Sequence, residues 1–440
     1  MPAPTEPLQI TTRVAPTLPG EGHARWGVCI ALACITAAFL AACSSASDES
    51  RPTREGVVTL EFWQISYNTE EVILPILAKF QEENPHIRVR PRRLAWSNAE
   101  QQILIALASG LPPDLCEIPN SWVSRFVHEG VLHDLTEATE DMRDGFVMWE
   151  PGMLDGRYYA IPWLVSTRLL FINDDLMERA GYPSGTVPVT WDDLLEASRR
   201  IQALGPDIHG FGMQAGDPYS PWQRFNSLAL TNGAQVLSDD GQGVILQSHR
   251  MVEALELWAS LADHALIDKS AEIDRAFGEG RLGMTIGGPW LFRFLPSRYP
   301  DLRYSTALIP RPDRPGGVHA SFLGGEMLVV FGRSRHPEEA TRLAKFIADA
   351  RQSLPIALNE RNVLPASKEG YSHPHVVHDP LLHVFMKQIQ MAVPAPAHHR
   401  WSSFERILSQ MVEEILLLGE RDVPALTKRY TDHLLLRLSE

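Results

Sequence analysis

Hydrophobic and polar residues alternate along the chain with periods that switch between those of strands and those of helices. Apolar side chains take every second position over 58–62, which predicts a β-strand, and recur at helical spacing over 72–80. Asn84 and Pro85 end that helix. The same order continues with a strand near 87–89, a helix over 98–108, a strand near 115–118 and a helix over 121–128. This βαβαβα order predicts a mainly parallel sheet with helices on both faces.

A second α/β region is predicted after an extended stretch over 158–172. Thr190 is a good N-cap and Asp193 stands where a capping box places its acid, so a helix is expected over 190–204. Later elements are an apolar strand over 323–331, an amphipathic helix over 336–350 and a wholly helical tail from about 381.

Length and charge narrow the class of protein. The chain has 440 residues, 44% hydrophobic and 21% charged, which is the composition of a globular protein. A single core rarely grows beyond about 250–300 residues, so we expect two lobes. The balance of 40 Lys and Arg against 54 Asp and Glu gives a net charge of −14. Nucleic-acid binding normally needs a basic face, so no nucleic-acid partner is expected.

The N-terminal region is typical of an export signal. Residues 26–42 are uncharged and largely apolar, Arg25 precedes them, and the run is shorter than the roughly 20 residues of a membrane span. Its end, LAAC, resembles a bacterial lipobox, in which cleavage precedes Cys43 and the thiol carries lipid. A plain signal peptide and a short anchor helix are the alternatives. We expect a signal peptide over 1–42, a lipid-anchored tether over 43–56, and a location in the periplasm or on the outer face of the cell membrane.

Cleavage there would leave few thiols. Cys29 and Cys34 would leave with the signal and Cys43 would be lipidated, so Cys116 could form no intrachain disulfide. Cys116 lies in an apolar run and is expected to be a buried, inert thiol.

One glycine motif suggests a nucleotide site. Residues 278–283 read GEGRLG and match G-x-G-x-x-G, but a dinucleotide site needs a strand before the motif and a helix after it. The pattern predicts the reverse order, which favours a helix-to-strand turn. The chain has no G-x-x-x-x-G-K-[ST] sequence, so an ATPase serving it would be a separate polypeptide.

Other candidate chemistry is weak. The histidines of HPHVVH at 373–378 lie in a loop-like context, and Tyr158 and Tyr159 would point to opposite faces of a strand. The sequence has neither G-x-S-x-G nor H-E-x-x-H, and no spacing singles out a pair of carboxylates. We therefore expect no metal, no cofactor, no catalytic residue and no enzymatic activity.

Aromatic residues in loops are the most informative feature. Trp191 and Trp258 lie in periodic segments and are expected in the core, whereas seven other aromatic residues follow strands or turns. The loop aromatics are Trp63, Trp122, Trp163, Tyr219, Trp222, Trp290 and Trp401. Such positions favour a cleft at the carboxyl edges of the sheets, and flat rings with polar neighbours suit a neutral carbohydrate. The alternative is that several of them only pack the lobe edges.

A series of segments resembles one protein family in that family's order. They include TLEFWQ at 59–64, KFQEENPHIRV at 79–89, DGRYYAIPW at 155–163, AFGEGRLGMTIGGPW at 276–290 and SFLGGEMLVV at 321–330. Over about 57–420 the chain resembles the extracellular solute-binding proteins of bacterial ABC sugar importers (family 1), which include the maltose-binding protein. The resemblance implies an α/β, type II periplasmic-binding-protein fold, with two lobes, each a mainly parallel sheet flanked by helices, joined by a hinge.

The resemblance also implies lobe boundaries and a ligand site between the lobes. The N-terminal lobe would comprise 57–164 and 311–366, and the C-terminal lobe 165–310 and 367–440. The implied ligand-binding residues are Trp63, Gln64, Asn120, Trp122, Trp163, Tyr219, Trp222, Trp290, Gly324, Gly325, Glu326, Arg361 and Trp401. Ser166 and Glu326 depart from the residue types common in the family at those positions, which leaves the ligand open.

The expected function is that of a lipid-anchored, monomeric subunit that binds a mono- or oligosaccharide and delivers it to the transmembrane subunits of an ABC permease. One alternative is another solute, such as a polyamine, an amino acid, a phosphorylated compound or iron. A cationic solute would need carboxylates in the cleft, with Glu326 and Asp114 as candidates. The other alternative is an exported enzyme acting on carbohydrate, which would place two carboxyl groups across the cleft.

Overall fold

The computed structural model describes residues 56–65, 70–96, 98–360 and 363–439. In these residues two large β-sheets and a two-stranded sheet of Met153–Leu154 and Arg157–Tyr158 are surrounded by helices. The helices are α1 Glu70–Glu83, α2 Ala99–Ala108, α3 Asn120–His128, α4 Asp174–Arg179, α5 Trp191–Gln202, α6 Ser220–Thr231, α7 His249–Ala262, α8 Ser270–Gly278, α9 Leu291–Arg298, α10 Pro337–Ala348, α11 Ala350–Glu360, α12 Lys368–Tyr371, α13 Pro374–His378, α14 Pro380–Ile389, α15 Trp401–Leu417 and α16 Val423–Ser439. The strands are β1 Val58–Gln64, β2 Ile87–Arg93, β3 Leu115–Pro119, β4 Met153–Leu154, β5 Arg157–Tyr158, β6 Ile161–Ser166, β7 Leu169–Asn173, β8 His209–Gln214, β9 Ala265–Asp268, β10 Leu282–Gly287, β11 Tyr304–Ala307, β12 Ser321–Val330, β13 Leu364–Pro365 and β14 Ala392–Pro394.

The first sheet has the strand order β13–β6–β12–β3–β1–β2, and β14 pairs with β12. Strand β1 runs parallel to β2 and β3, whereas β12 runs antiparallel to β3 and β6. Apolar side chains of β1, α1 and α10 form a core on one face of this sheet, including Leu60, Phe80 and Leu343.

The second sheet has the order β11–β7–β10–β8–β9. Strand β8 is parallel to β9 and β10, and β7 is antiparallel to β10 and β11. Its main core includes residues of α5, α6, α7, α15 and α16. A further cluster joins residues of both sheets to residues of the helices beside them, among them Trp122, Phe171 and Leu291.

Both sheets are mixed, so the prediction that each is mainly parallel is wrong. In the first sheet the reason is long-range. Strand β12 enters the first sheet only after the second sheet is complete, and it runs antiparallel to both β3 and β6. The helical tail expected from 381 is also interrupted, because β14 pairs in parallel with the first residues of β12.

Two segments that cross between the sheets are hydrogen-bonded to each other. Thr167 and Arg168 link β6 directly to β7, and the chain returns through 308–320 into β12. The Thr167 hydroxyl donates to the Phe322 carbonyl at 2.8 Å, and the Ser321 hydroxyl donates to the Arg168 carbonyl at 3.0 Å. The first crossing is therefore bonded to the residues at which the return crossing enters β12.

Several local predictions are confirmed. Thr190 and Asp193 form a complete capping box at the start of α5. The GEGRLG motif runs from the last residue of α8 to the second residue of β10 and is a helix-to-strand turn. Cys116 is fully buried, and burial raises the pKa of its thiol.

Other predictions stay open. The predicted signal peptide 1–42 lies outside the described residues. The predicted tether 43–56, which includes Cys43, also lies outside them except for its last residue, Gly56. Within the described ranges, no helix is both long enough and apolar enough to span a membrane. Strand β6 runs to Ser166, past the expected end of the N-terminal lobe segment at 164. Strand β14 belongs to the predicted C-terminal lobe segment 367–440 but pairs with a strand of the first sheet. The lobe boundaries remain a prediction.

Candidate ligand-binding cleft

A cavity of about 380 Å³ lies between residues that belong to the two sheets and their connections. Seven of the residues expected to bind ligand line it: Asn120, Trp122, Tyr219, Trp290, Gly324, Gly325 and Glu326. The first three stand at the starts of helices or just before them, and the glycines and Glu326 stand on β12. The carboxyl ends of β3, β8 and β10 lead to this space, as expected of ligand sites in α/β folds.

A row of aromatic rings crosses from one side of the cavity to the other. The Trp96 and Trp122 rings meet edge to face with 6.0 Å between centroids, and Trp122 lies 6.1 Å from Tyr219. Trp122 stands on α3 beside the first sheet, whereas Tyr219 precedes α6 of the second. Ring pairs at these separations attract one another, so the row contributes to holding the two sides together.

A hydrogen bond reinforces that row. The Tyr219 hydroxyl donates to Glu100 Oε2 at 2.6 Å, and Arg125 Nη1 lies 3.3 Å from the other Glu100 oxygen. Burial and the nearby Glu100 carboxylate both raise the pKa of Tyr219. The phenol therefore stays protonated and remains a donor to a charged acceptor on α2.

Trp290 is held rigidly on the opposite wall. Its Nε1 donates to Asp274 Oδ2 at 2.8 Å, and the Arg168 and Arg224 guanidinium carbons lie 5.3 and 5.6 Å from its ring centroid. Arg224 is buried and donates to the Ile286 carbonyl at 2.8 Å. Burial lowers the pKa of Arg224 to about 10 and raises that of Asp274. These contacts fix the indole before any ligand arrives, which lowers the entropy lost on binding.

The glycine turn of β12 forms the floor. Gly325 has a φ of +154°, and a Cβ there would stand 2.3 Å from the Leu164 carbonyl oxygen, so only glycine fits. The pairing with β6 shifts register directly after Glu326. Glu326 is 6% exposed, and its Oε2 has no hydrogen-bond partner among the described residues. Burial raises the pKa of Glu326 to about 8, the neighbouring Glu117 adds to the rise, and Arg168 opposes it.

Four predicted tryptophans do not line the cavity. Trp163 is fully buried in the core of the first sheet, and Trp222 is fully buried 5.5 Å from the Phe225 ring. Trp63 is 8% exposed and lies under the Arg92 guanidinium at 4.6 Å. Trp401, at the start of α15, borders a separate cavity of about 640 Å³. A position after a strand or a turn therefore does not distinguish a ring that lines a cleft from one that packs into a core.

Two further predicted residues cannot be placed in the cleft. Gln64, at the end of β1, is buried and does not line the cavity. Arg361 lies outside the described residues. Any ligand contact by either of them stays a prediction.

Polar residues of the cavity were missed by the search for aromatic residues. Arg168 donates through Nη2 to Gln223 Oε1 at 2.9 Å, and Gln214, at the end of β8, lines the same space. The other lining residues outside the predicted set include Trp96, Ser166, Asp217, Ser220, Ser270 and Phe322. The position of Gln214 at the carboxyl end of a strand was a usable signal, since ligand-contacting groups gather there.

Asp114, a candidate for contact with a cationic solute, has a structural role instead. Its Oδ2 accepts from the Glu61 amide at 2.9 Å and its Oδ1 accepts from the Ser334 hydroxyl at 2.6 Å. It does not line the cavity.

Solved structures share this architecture. The chain is similar to an ABC-transporter solute-binding protein of Thermotoga lettingae bound with α-D-tagatose, with a TM-score of 0.77 and 23% identity over 87% of this chain and all of that one. It is similar to the sugar-binding protein MalE of Xanthomonas citri, with a TM-score of 0.76 and 23% identity over 87% of this chain and 98% of that one. The predicted two-lobed, type II fold is thereby confirmed.

Sequence comparison leads to the family. The chain is 27% identical over 377 residues to a binding protein of Brucella abortus, covering 83% of this chain and 90% of the relative. It is 26% identical over 328 residues to the diacetylchitobiose-binding protein of Streptomyces coelicolor, covering 70% and 74%. The family of bacterial extracellular solute-binding proteins matches residues 66–353, which is more than half of the chain. The protein therefore belongs to the family of bacterial extracellular solute-binding proteins.

Proposed function

We propose that the protein is the substrate-binding subunit of an ABC importer and that it binds a carbohydrate in the cleft. The observation that carries this proposal is the composition of the cavity wall, where aromatic rings and polar side chains from both sides surround about 380 Å³. Indole faces suit the apolar faces of sugar rings, and amide, hydroxyl and charged groups suit their hydroxyls. The relative that binds diacetylchitobiose supports the same ligand class.

Binding would be coupled to closure of the two lobes. Thr167 and Arg168 form a short direct crossing, which is where a hinge would absorb the change in backbone angles. The bond from Tyr219 to Glu100 spans the two sides and would form on closure. A ligand that touches both walls stabilises the closed form by the contacts that the open form lacks.

Delivery follows from that closed form. It would dock on the transmembrane subunits of a permease, while ATP is hydrolysed on separate chains. The subunit itself would catalyse no reaction. We further propose that it is exported, that lipid on Cys43 anchors it to the membrane, and that it acts as a monomer.

A thermal-shift screen of a soluble form beginning at Ser44 tests the proposal. The panel would contain mono- and oligosaccharides, polyols, amino acids, polyamines and ferric iron. A ligand at 100 times its Kd adds about 2.7 kcal/mol of stability, which such a screen detects. A saccharide that stabilises the protein and is recovered unchanged supports the proposal. Stabilisation by amino acids or iron alone contradicts it, and consumption of the sugar indicates an enzyme.

A further inference from the structure

Two buried hydrogen-bond acceptors of the cleft have no partner among the described residues. Glu326 Oε2 and Gln214 Oε1 are both buried, both residues line the cavity, and neither oxygen is bonded by any of the described residues. A buried acceptor that is left unpaired costs free energy. A ligand that presents N–H or O–H donors to both oxygens would remove that cost.

The charges of the lining are also unbalanced. Among the described residues that line the cavity, the acids are Glu326 and Asp217 and the single base is Arg168. Arg168 bonds to the neutral Gln223 and lies 5.3 Å from the Trp290 ring centroid and 5.7 Å from that of Phe322. These contacts hold the guanidinium against the second wall. When Glu326 is ionised the lining carries one net negative charge, which either a proton on Glu326 or one positive charge on a ligand would balance.

Asp217 is already engaged, which leaves Glu326 as the acid for a ligand. Asp217 Oδ1 accepts from the backbone amides of Tyr219 and Ser220 at 3.0 and 2.8 Å and so caps the start of α6. Glu326 Oε2 has no such partner. The aromatic wall adds to the argument, because the faces of indole and phenol rings attract a cation.

We propose that the cleft selects a saccharide carrying a free, protonated amine, and that the ammonium group binds the carboxyl of Glu326. This inference rests on the proposed function and specifies the ligand class of the same site. A neutral saccharide would leave Glu326 protonated and form no ion pair with it, and an anionic one would bring a further negative charge beside that carboxyl.

Proton exchange provides an independent signature. Burial within the cleft raises the pKa of Glu326 to about 8, with Glu117 raising it further and Arg168 lowering it. At pH 7 the carboxyl is therefore mostly protonated. An ammonium beside it favours the ionised form, so binding of the amine releases a proton to the buffer.

The test is calorimetry with matched saccharides that differ in one substituent. Each set contains an amino sugar, its N-acetylated form and its neutral hydroxyl form, as monosaccharides and as α- and β-linked disaccharides. In at least one set the amine should bind at least about tenfold more tightly than both of its partners. The binding enthalpy of the amine should vary with the ionisation enthalpy of the buffer, as proton release requires.

The matched variant is Glu326→Gln, which keeps the shape of the side chain and removes its charge. It should lower amine affinity by about tenfold or more, lower the affinity for the neutral saccharide by a smaller factor, and abolish the release of a proton on amine binding. If a neutral or N-acetylated sugar binds as tightly as the amine, or if the amine releases no proton in the unmutated protein, this inference is overturned and the proposed function stands. If no saccharide in any set binds, both proposals fail.

Discussion

The bond between Tyr219 and Glu100 offers a direct test of lobe closure. Tyr219→Phe removes one hydroxyl and keeps the ring that contacts Trp122. The lost bond is 2.6 Å long and joins a phenol beside the second sheet to a carboxylate beside the first. Glu100 would keep its contact with Arg125 at 3.3 Å, so the substitution does not leave an isolated buried charge.

The expected magnitude follows from the type of bond. A hydrogen bond to a charged group contributes about 1.5–3 kcal/mol, and the partial exposure of Tyr219 places this one at about 1–2 kcal/mol. If the free protein is mainly open, the whole of that difference appears in ligand affinity. We therefore expect Tyr219→Phe to raise the Kd about 5- to 30-fold.

The chain contains a matched control. The Tyr430 hydroxyl donates to Glu414 Oε1 at 2.8 Å, and this bond joins the neighbouring helices α15 and α16. Tyr430→Phe should lower the free energy of unfolding and leave the Kd unchanged. Calorimetry gives both Kd values, and small-angle scattering reports closure. Equal Kd changes in the two variants, or none in either, would refute the assignment of the bond at Tyr219 to closure.

Three further changes test other parts of the structure. Trp290→Ala should weaken ligand binding by about 1–3 kcal/mol in calorimetry. Phe294→Ala, one turn further along, is the control and should not weaken it. Unchanged affinity in the Trp290 variant would remove Trp290 from the site. Burial raises the pKa of Glu405 from 4.5 to about 7. Ionisation of this carboxyl therefore destabilises the fold, so the free energy of unfolding should fall as the pH rises through that window. Glu405→Gln should flatten that fall in denaturant titrations at pH 5 and pH 8, and an unchanged slope contradicts the reasoning. The rings of His128 and His399 stack 4.0 Å apart. Burial lowers the pKa of His399, and the charge of His128 lowers it further. The free energy of unfolding should therefore decrease as the pH falls below about 6.5. His399→Asn should reduce that acid sensitivity, and equal acid sensitivity in both proteins would count against it.

Local signals predicted the elements well. The capping box at Thr190 and the turn at 278–283 each depend on residues within a few positions of one another, and both appear as expected. Strand and helix periodicity also fixed most element positions in the first lobe, because burial on one face imposes the period directly.

Long-range relations could not be predicted in the same way. The direction of β12 depends on where the chain re-enters the first sheet. The pairing of β14 depends in turn on the position of β12, its partner strand. The aromatic residues show the same limit. Trp122 lines the cleft while Trp163 is enclosed in a core, although both follow a proline closely. Which side of an element a ring occupies depends on neighbours that are distant in sequence.

Arg168 shows why the hinge and the binding site are one feature in this fold. Its backbone forms part of the crossing from β6 to β7, and its carbonyl accepts from Ser321, where the return crossing enters β12. Its side chain lines the cleft and lies against Trp290 and Phe322. A ligand that changes the position of this guanidinium therefore acts directly on the segment about which the lobes would move. A search for loop aromatics overlooks such a residue, because its importance comes from the connection it makes between two sheets.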